Sequence, residues 1–173
     1  MTTHVMDAGN ARRILLSLQQ AGVEATVGGG WGVDALLGEQ TRLHSDLDLW
    51  VAAADLEPLI KTFVDLGLDR LFPWGDERPW NFVVHNGGEL RVDLHLYEKL
   101  PDGRVHYGSV RGGDDFDFTF LRGHGAIDGM PVACESPDWA LLCHTGYPPR
   151  SVDHEDVKRL CAKFGLPLPD AFR

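Results

Sequence analysis

Three consecutive glycines, Gly28-Gly29-Gly30, stand between a short apolar run, Val23 to Val27, and the segment Trp31 to Leu37, which Gly38 closes. Glycine in triplicate interrupts both helical and strand periodicity, so the local structure is a strand, a tight turn and a helix of about two turns. Without a Cβ such a turn lets backbone approach a ligand closely, and the helix N-terminus behind it offers unpaired N–H groups and positive dipole to an anion. A plain strand-to-helix turn would use the same residues, so the triplet alone leaves both readings open.

Two familiar glycine loops do not fit. A P-loop requires Gly-Lys-Ser/Thr, and the first lysine in the chain is Lys61. The dinucleotide fingerprint comes nearer, with Gly28-x-Gly30-x-x-Val33 and Asp48 twenty residues after Gly28. Its third glycine is missing, its helix is shorter than the ~10 residues or more of a crossover, and the acids open their strand instead of ending it.

Those acids are the second signal. In Asp46-Leu47-Asp48-Leu49 a period of two puts both carboxylates on one face of a strand running to Val51, with Leu47, Leu49 and Val51 in the core. Like charges this close repel unless a cation lies between them, and hard oxygen ligands suit Mg²⁺, which keeps waters and accepts phosphate oxygens. A merely solvated outer face gives the same alternation. A third acid tips the balance. Trp80 to His85 and Glu89 to Leu96 flank Asn86-Gly87, a strong hairpin signal, and Glu89, Arg91, Asp93 and His95 share one face of the second strand. Laid beside the first strand with apolar faces together, this strand adds Asp93 to Asp46 and Asp48. Three carboxylates around two metals, next to a turn that can hold a triphosphate, are the components of in-line nucleotidyl transfer.

The remaining pattern predicts an α+β fold. Ile14, Leu15, Leu18 and Ala21 form a helical stripe that stops at Gly22, and Leu56, Leu59, Ile60, Phe63 and Val64 form another behind Asp55. Ser136-Pro137-Asp138 opens a helix over Trp139 to His144, and a last helix spans Asp153 to Phe164 with Val157, Leu160, Cys161 and Phe164 inward. Between Pro101 and Gly129 the signals weaken to irregular loop with one or two short strands. The expectation is one domain over 1–173: a mixed or antiparallel sheet flanked by helices over about 1–133, and a helical C-terminal segment over about 134–173.

Composition narrows the partners. Lys+Arg number 16 against Asp+Glu 26, a net charge of -10, which argues against a phosphate-tracking surface for nucleic acid. No stretch approaches the ~18 apolar residues of a membrane helix, and Met1 to Asp7 lacks the features of an export signal. Cys134, Cys143 and Cys161 have no CxxC spacing, which fits a reducing cytoplasm and supports neither a zinc cluster nor a disulfide framework. His44 lies near the acid pair and His95 shares the face of Asp93, without the spacing of a histidine metal site.

The string Gly28-Gly29-Gly30-Trp31-Gly32-Val33-Asp34 followed by His44-Ser45-Asp46-Leu47-Asp48 resembles the small antibiotic nucleotidyltransferases, lincosamide nucleotidyltransferases first and aminoglycoside 2″-nucleotidyltransferases next. The likeness continues through Leu90 to His95, His144-Thr145-Gly146-Tyr147 and Asp153-His154-Glu155-Asp156-Val157-Lys158. It implies the polymerase-beta-like nucleotidyltransferase fold and an Mg²⁺-dependent transfer, with two ions, of a nucleoside monophosphate from an NTP such as ATP to a small-molecule hydroxyl, releasing pyrophosphate. Carried over by position, Gly29 and Gly30 meet the phosphates, Asp46 and Asp48 bind metal, and Asp93 binds metal or acts as general base. Arg78 and Lys158 are further phosphate contacts in the same carry-over. The negative charge together with this kinship predicts a cationic acceptor, held by Asp114, Asp115, Asp117 and nearby aromatics. A protein or RNA acceptor, as in toxin-like relatives, and a non-catalytic nucleotide sensor are the alternatives; a homodimer is compatible with all of them.

Overall fold

The computed structural model describes residues 5–73 and 80–173, so the predicted phosphate contact Arg78, and Trp74, lie outside the described residues. Helix α1 (Ala8–Gln20) is capped by Asp7, which accepts the Asn10 N–H at 2.7 Å. Strand β1 (Ala25–Gly28) runs straight into α2 (Gly29–Leu37), then β2 (Leu47–Ala52) and α3 (Leu56–Asp65). The middle of the chain builds β3 (Arg70–Pro73), β4 (Asn81–His85), β5 (Arg91–Lys99), β6 (Arg104–Tyr107), β7 (Asp114–Asp117), β8 (Gly123–Ile127) and β9 (Met130–Cys134). Helices α4 (Pro137–Thr145) and α5 (Ser151–Phe164) finish it; α4 opens on Ser136, whose hydroxyl accepts the Trp139 N–H, with Pro137 in the first turn. None of the described helices is long and apolar enough to cross a membrane.

These strands form one mixed sheet in the order β3-β4-β5-β2-β1-β9-β8, with β6 paired to β5 and β7 to β6. The β2–β5 and β1–β9 pairs are parallel and the others antiparallel. Along its centre Val27, Leu49 and Leu94 stand in one cross-strand row, each fully buried. That face packs Leu47, Val51 and Val92 against Ile14 and Leu18 of α1 and Leu59 and Phe63 of α3, which form a single core. The other face carries Asp48, Trp50, Asp93, His95 and Tyr97, as period-two alternation requires. At its far end a second cluster gathers Trp50, Ala52, Tyr97, Val105, Phe116 and Leu121, with Trp139 packed on it.

Several details differ from the sequence expectation. Helix α2 begins at Gly29, with Gly28 as its N-cap, so two glycines of the turn are helical. The stretch from Pro101 to Gly129 holds three strands and a short 3₁₀ turn (Phe118–Leu121). Its signal was weak because β6 and β7 bury one residue each, Val105 and Phe116, and are otherwise polar. Val64 is 55% exposed and Phe164, the last residue of α5, 37% exposed, so neither belongs to the core stripe assigned to it.

Leu94→Ala, which empties the centre of the cross-strand row, is expected to cost about 2–5 kcal/mol of stability, measured by urea unfolding.

Candidate active site

The glycine turn is surrounded on three sides by polar side chains that occupy the places of its missing Cβ atoms. A Cβ on Gly28 would fall 2.6 Å from Glu135 Oε1 and 3.0 Å from Trp50 Nε1. Gly29 has φ +56°, and a Cβ there would overlap the Asp48 carboxylate. A Cβ on Gly30 would fall 2.5 Å from both Arg42 Nη2 and His44 Nδ1. Any side chain at these positions displaces a functional group.

The acids converge beside this turn. Parallel pairing of β2 with β5 sets Asp48 directly opposite Asp93, and Asp46 immediately precedes β2. Arg91, at the start of β5, reaches 3.3 Å to Asp93 and 3.7 Å to Asp46. Burial first, then the charges of Asp48 and Asp46, push the Asp93 carboxyl up to about 6, against the pull of Arg91 and His95. Asp46 is raised as well, by burial and by Asp48, with the Ser45 hydroxyl opposing. His95 lies across the pair: Nε2 is 3.3 Å from Asp48, while Nδ1 meets the Tyr107 hydroxyl at 2.8 Å, which in turn donates to Asn81. Trp50 stacks on His95, with ring centroids 4.7 Å apart.

Beneath the turn, Glu135 is 3% exposed and accepts the Trp50 indole N–H at 2.6 Å. Burial drives its carboxyl up to about 8, reinforced by Asp48 and opposed by hydrogen bonds from Trp50 and the Gly29 N–H. The Gly29 N–H thus lies toward Glu135, and the next N–H of α2 is that of Gly30.

Neither Glu135 nor Arg42 stands in a recognisable sequence motif; Arg42 lies two residues before His44, so proximity to the acid pair is the one clue the sequence offers. Lys158 is exposed on α5 and about 200° around the helix from Asp156, which is the residue of α5 that reaches Arg42. Of the three acids expected to hold an acceptor, only Asp114 shares the site's face, being paired with Tyr107 and two residues from Phe116, which both touch Trp50. Asp115 is on the opposite face, 2.7 Å from His106, and Asp117 caps the turn at Thr119. A separate buried group, His144, Asp153 and Asp156, brings ligand atoms within 4.8 Å of one another. Arg42 and Arg150 bond its two acids at 2.9 Å each, so guanidinium groups supply the countercharge there.

A glycine turn at a helix N-terminus and carboxylates on adjacent strands of a mixed sheet are the architecture of a nucleotidyltransferase. The sequence profile of the aminoglycoside-2″-adenylyltransferase family matches residues 10–160, and the chain belongs to that family. A curated relative, the lincosamide resistance protein of Staphylococcus haemolyticus, is 28% identical over 132 residues, spanning 76% of this chain and 80% of the relative. The crystal structure of the lincosamide antibiotic adenylyltransferase LnuA with lincomycin bound superposes with a TM-score of 0.76 at 25% identity, covering 90% of this chain and 97% of that one. The crystal structure of ANT(2″)-Ia in complex with adenylyl-2″-tobramycin shares the fold, with a TM-score of 0.70 at 22% identity over 91% of this chain and 89% of its own.

The acid cluster is held together at a cost that a pH profile reads. Asp93 moves from an ordinary 3.8 to about 6 on folding, so the folded chain binds its proton more tightly than the unfolded chain does. Stability contributed by that proton is present below about pH 4 and is lost as pH rises through about 6. Asp93→Asn is therefore expected to raise stability at pH 7.5 by about 1–3 kcal/mol and to flatten the pH dependence between about 4 and 6, measured by denaturant unfolding across pH.

Proposed function

We propose that the chain transfers a nucleoside monophosphate from an NTP, ATP in the first instance, to a hydroxyl of a small amine-bearing antibiotic, releasing pyrophosphate, and does so in the cytoplasm. The observation that carries this reading is the register of Asp48 opposite Asp93 beside the glycine turn. In the transfer, the acceptor oxygen forms a bond to the α-phosphorus while the bond from that phosphorus to the pyrophosphate oxygen breaks in line with it.

An oxygen-only donor set with two carboxyls raised by burial and by the charge of Asp48 fits a hard divalent cation. Asp46 and Asp48 would hold Mg²⁺, with Asp93 shared between holding it and receiving the acceptor's proton. Bound there, Mg²⁺ neutralises phosphate charge and makes the acceptor hydroxyl more acidic. Asp93 suits the proton's destination because burial first, and then the charges of Asp48 and Asp46, already raise its proton affinity, to about 6. His95 keeps Asp48 oriented, and is itself fixed by Tyr107 and by stacking on Trp50. Gly30 offers its N–H to phosphate at the positive end of α2.

We assign the acceptor site to the face that runs from His95 to the β6–β7 hairpin, where Tyr107 stands half-buried on the buried Trp50 and Phe116 and Asp114 offers an exposed carboxylate. This supports a cationic acceptor, and the relatives whose structures carry lincomycin and an adenylylated tobramycin make lincosamides and aminoglycosides the first compounds to test.

Incubating the protein with Mg²⁺, each NTP and a panel of such antibiotics is expected to add the mass of one nucleoside monophosphate to one compound, read by mass spectrometry. Asp48→Asn should lower turnover about a hundredfold or more while the protein stays folded. A panel without any mass gain, or an Asp48→Asn protein with full turnover, would sink the reading. Asp114→Asn is expected to raise the acceptor KM about two- to tenfold, an effect that shrinks as salt is added; an unchanged KM would remove Asp114 from the acceptor site.

A further inference from the structure

The α2 N-terminus opens onto two side chains from the segment between α2 and β2. Arg42 places Nη2 against Gly30, at 2.5 Å from where a Cβ would be. It is fixed there by Asp156 of α5, a carboxylate 1% exposed, which accepts from Nε at 3.2 Å and from Nη2 at 2.9 Å. About a quarter of the Arg42 side chain, 26%, stays open to solvent. A guanidinium carries five N–H donors, so after this pairing Nη2 keeps one and Nη1 two, of which Nη1 spends one on the Leu43 carbonyl at 3.4 Å. His44 is 4% exposed and lies 4.6 Å from the Trp31 ring, with Nε2 2.5 Å from Asp34. Its Nδ1 has no partner among the described residues and faces Gly30.

Two nitrogen-bearing groups on one glycine, each braced by a carboxylate that is itself almost wholly buried, make poor sense as a source of stability. Burying Asp156 beside an arginine costs desolvation that the pairing only roughly repays. What the arrangement secures is orientation: the planar fork of Arg42 is locked with spare N–H groups beside Gly30 in the first turn of α2. The matching ligand is an oxyanion with several oxygens on adjacent centres.

We propose that Arg42 and His44, over the Gly30 N–H, form the seat for the β- and γ-phosphates of the NTP, with Asp156 and Asp34 as positioning residues. This rests on the nucleotidyl-transfer reading and deepens it. As the bond from the α-phosphorus to the bridging oxygen breaks, negative charge grows on the pyrophosphate, and Arg42 is placed to stabilise it. Helix α5 thus contributes to phosphate binding through Asp156, which shapes Arg42, and not through a lysine of its own.

The test is calorimetric titration of inorganic pyrophosphate, ATP and AMP, each with Mg²⁺, into the wild-type protein and into Arg42→Gln/Asp156→Asn, a double variant that removes both charges together and leaves no carboxylate buried alone. The expected result is pyrophosphate and ATP binding weakened about tenfold or more with AMP binding changed less than about twofold, and an NTP KM raised by a similar factor at saturating acceptor. Arg42→Lys keeps Asp156 paired, so it serves if the double variant does not fold; it is expected to weaken pyrophosphate about three- to tenfold, because a point charge replaces the fork. Unchanged pyrophosphate affinity in either folded variant overturns the seat and leaves nucleotidyl transfer standing. A wild-type protein that binds neither pyrophosphate nor ATP overturns the nucleotidyl-transfer reading itself, and the seat with it.

Discussion

The structure depends on a steric constraint at Gly28, Gly29 and Gly30: three residues in a row must have no side chain, each for a different neighbour. Glu135 and Trp50 close on the first, Asp48 on the second, Arg42 and His44 on the third. Those neighbours come from β2, from the segment ahead of it and from the end of β9, so the turn is the point at which separate parts of the sheet are referenced to one another. A methyl group at any of the three would not simply add strain; it would push aside a carboxylate, an indole or a guanidinium. The β1–β9 pairing shows how closely this is managed. The two strands meet in register only at Val27 and Cys134, and the next backbone bond, from Glu135 N–H to the Val27 carbonyl at 3.0 Å, delivers Glu135 under the turn.

Charge is divided across this point. On one side, acids are buried and crowded together until Asp93 and Asp46 hold their protons more tightly than a free carboxyl would. On the other, Arg42 and His44 are each paired with an acid buried behind them. A polyphosphate with its cation is complementary to such a layout, positive ion against the crowded acids and oxyanions against the braced nitrogens. Arg91, within 4 Å of both Asp46 and Asp93, holds the repulsion in check inside the protein.

What the sequence revealed and what it hid follow from the range of the interactions involved. The acid pair and Asp93 were legible because strand alternation is local and because Asn86-Gly87 fixed the hairpin; their juxtaposition then needed only one assumption about strand order, which the β2–β5 pairing satisfies. The helix caps at Ser136 and the stop at Gly38 were legible for the same reason. Glu135 and Arg42 were not, since their meaning lies in contacts 85 and 114 residues away along the chain, with Trp50 and Asp156. Strands β6 and β7 were hidden because each fully buries a single residue, Val105 or Phe116, among polar ones, which leaves no apolar rhythm to read. Helix α2 starts two residues earlier than the glycine triplet suggests, because tertiary contacts override the low helix propensity of glycine.

The attachment of the β6–β7 hairpin has a consequence for how such a protein can diversify. The hairpin joins the sheet only along the outer half of β5, at Tyr97, Glu98 and Lys99, whereas the register that aligns Asp48 with Asp93 is set along the inner half, against β2 and β4. The hairpin that carries Tyr107 and Asp114 and the part that aligns the acids therefore hang on different stretches of one strand. Sequence drift or recombination between Leu100 and Asp117 can remodel one wall of the cleft while the reactive centre keeps its alignment, so the scaffold can change clientele without relearning its chemistry.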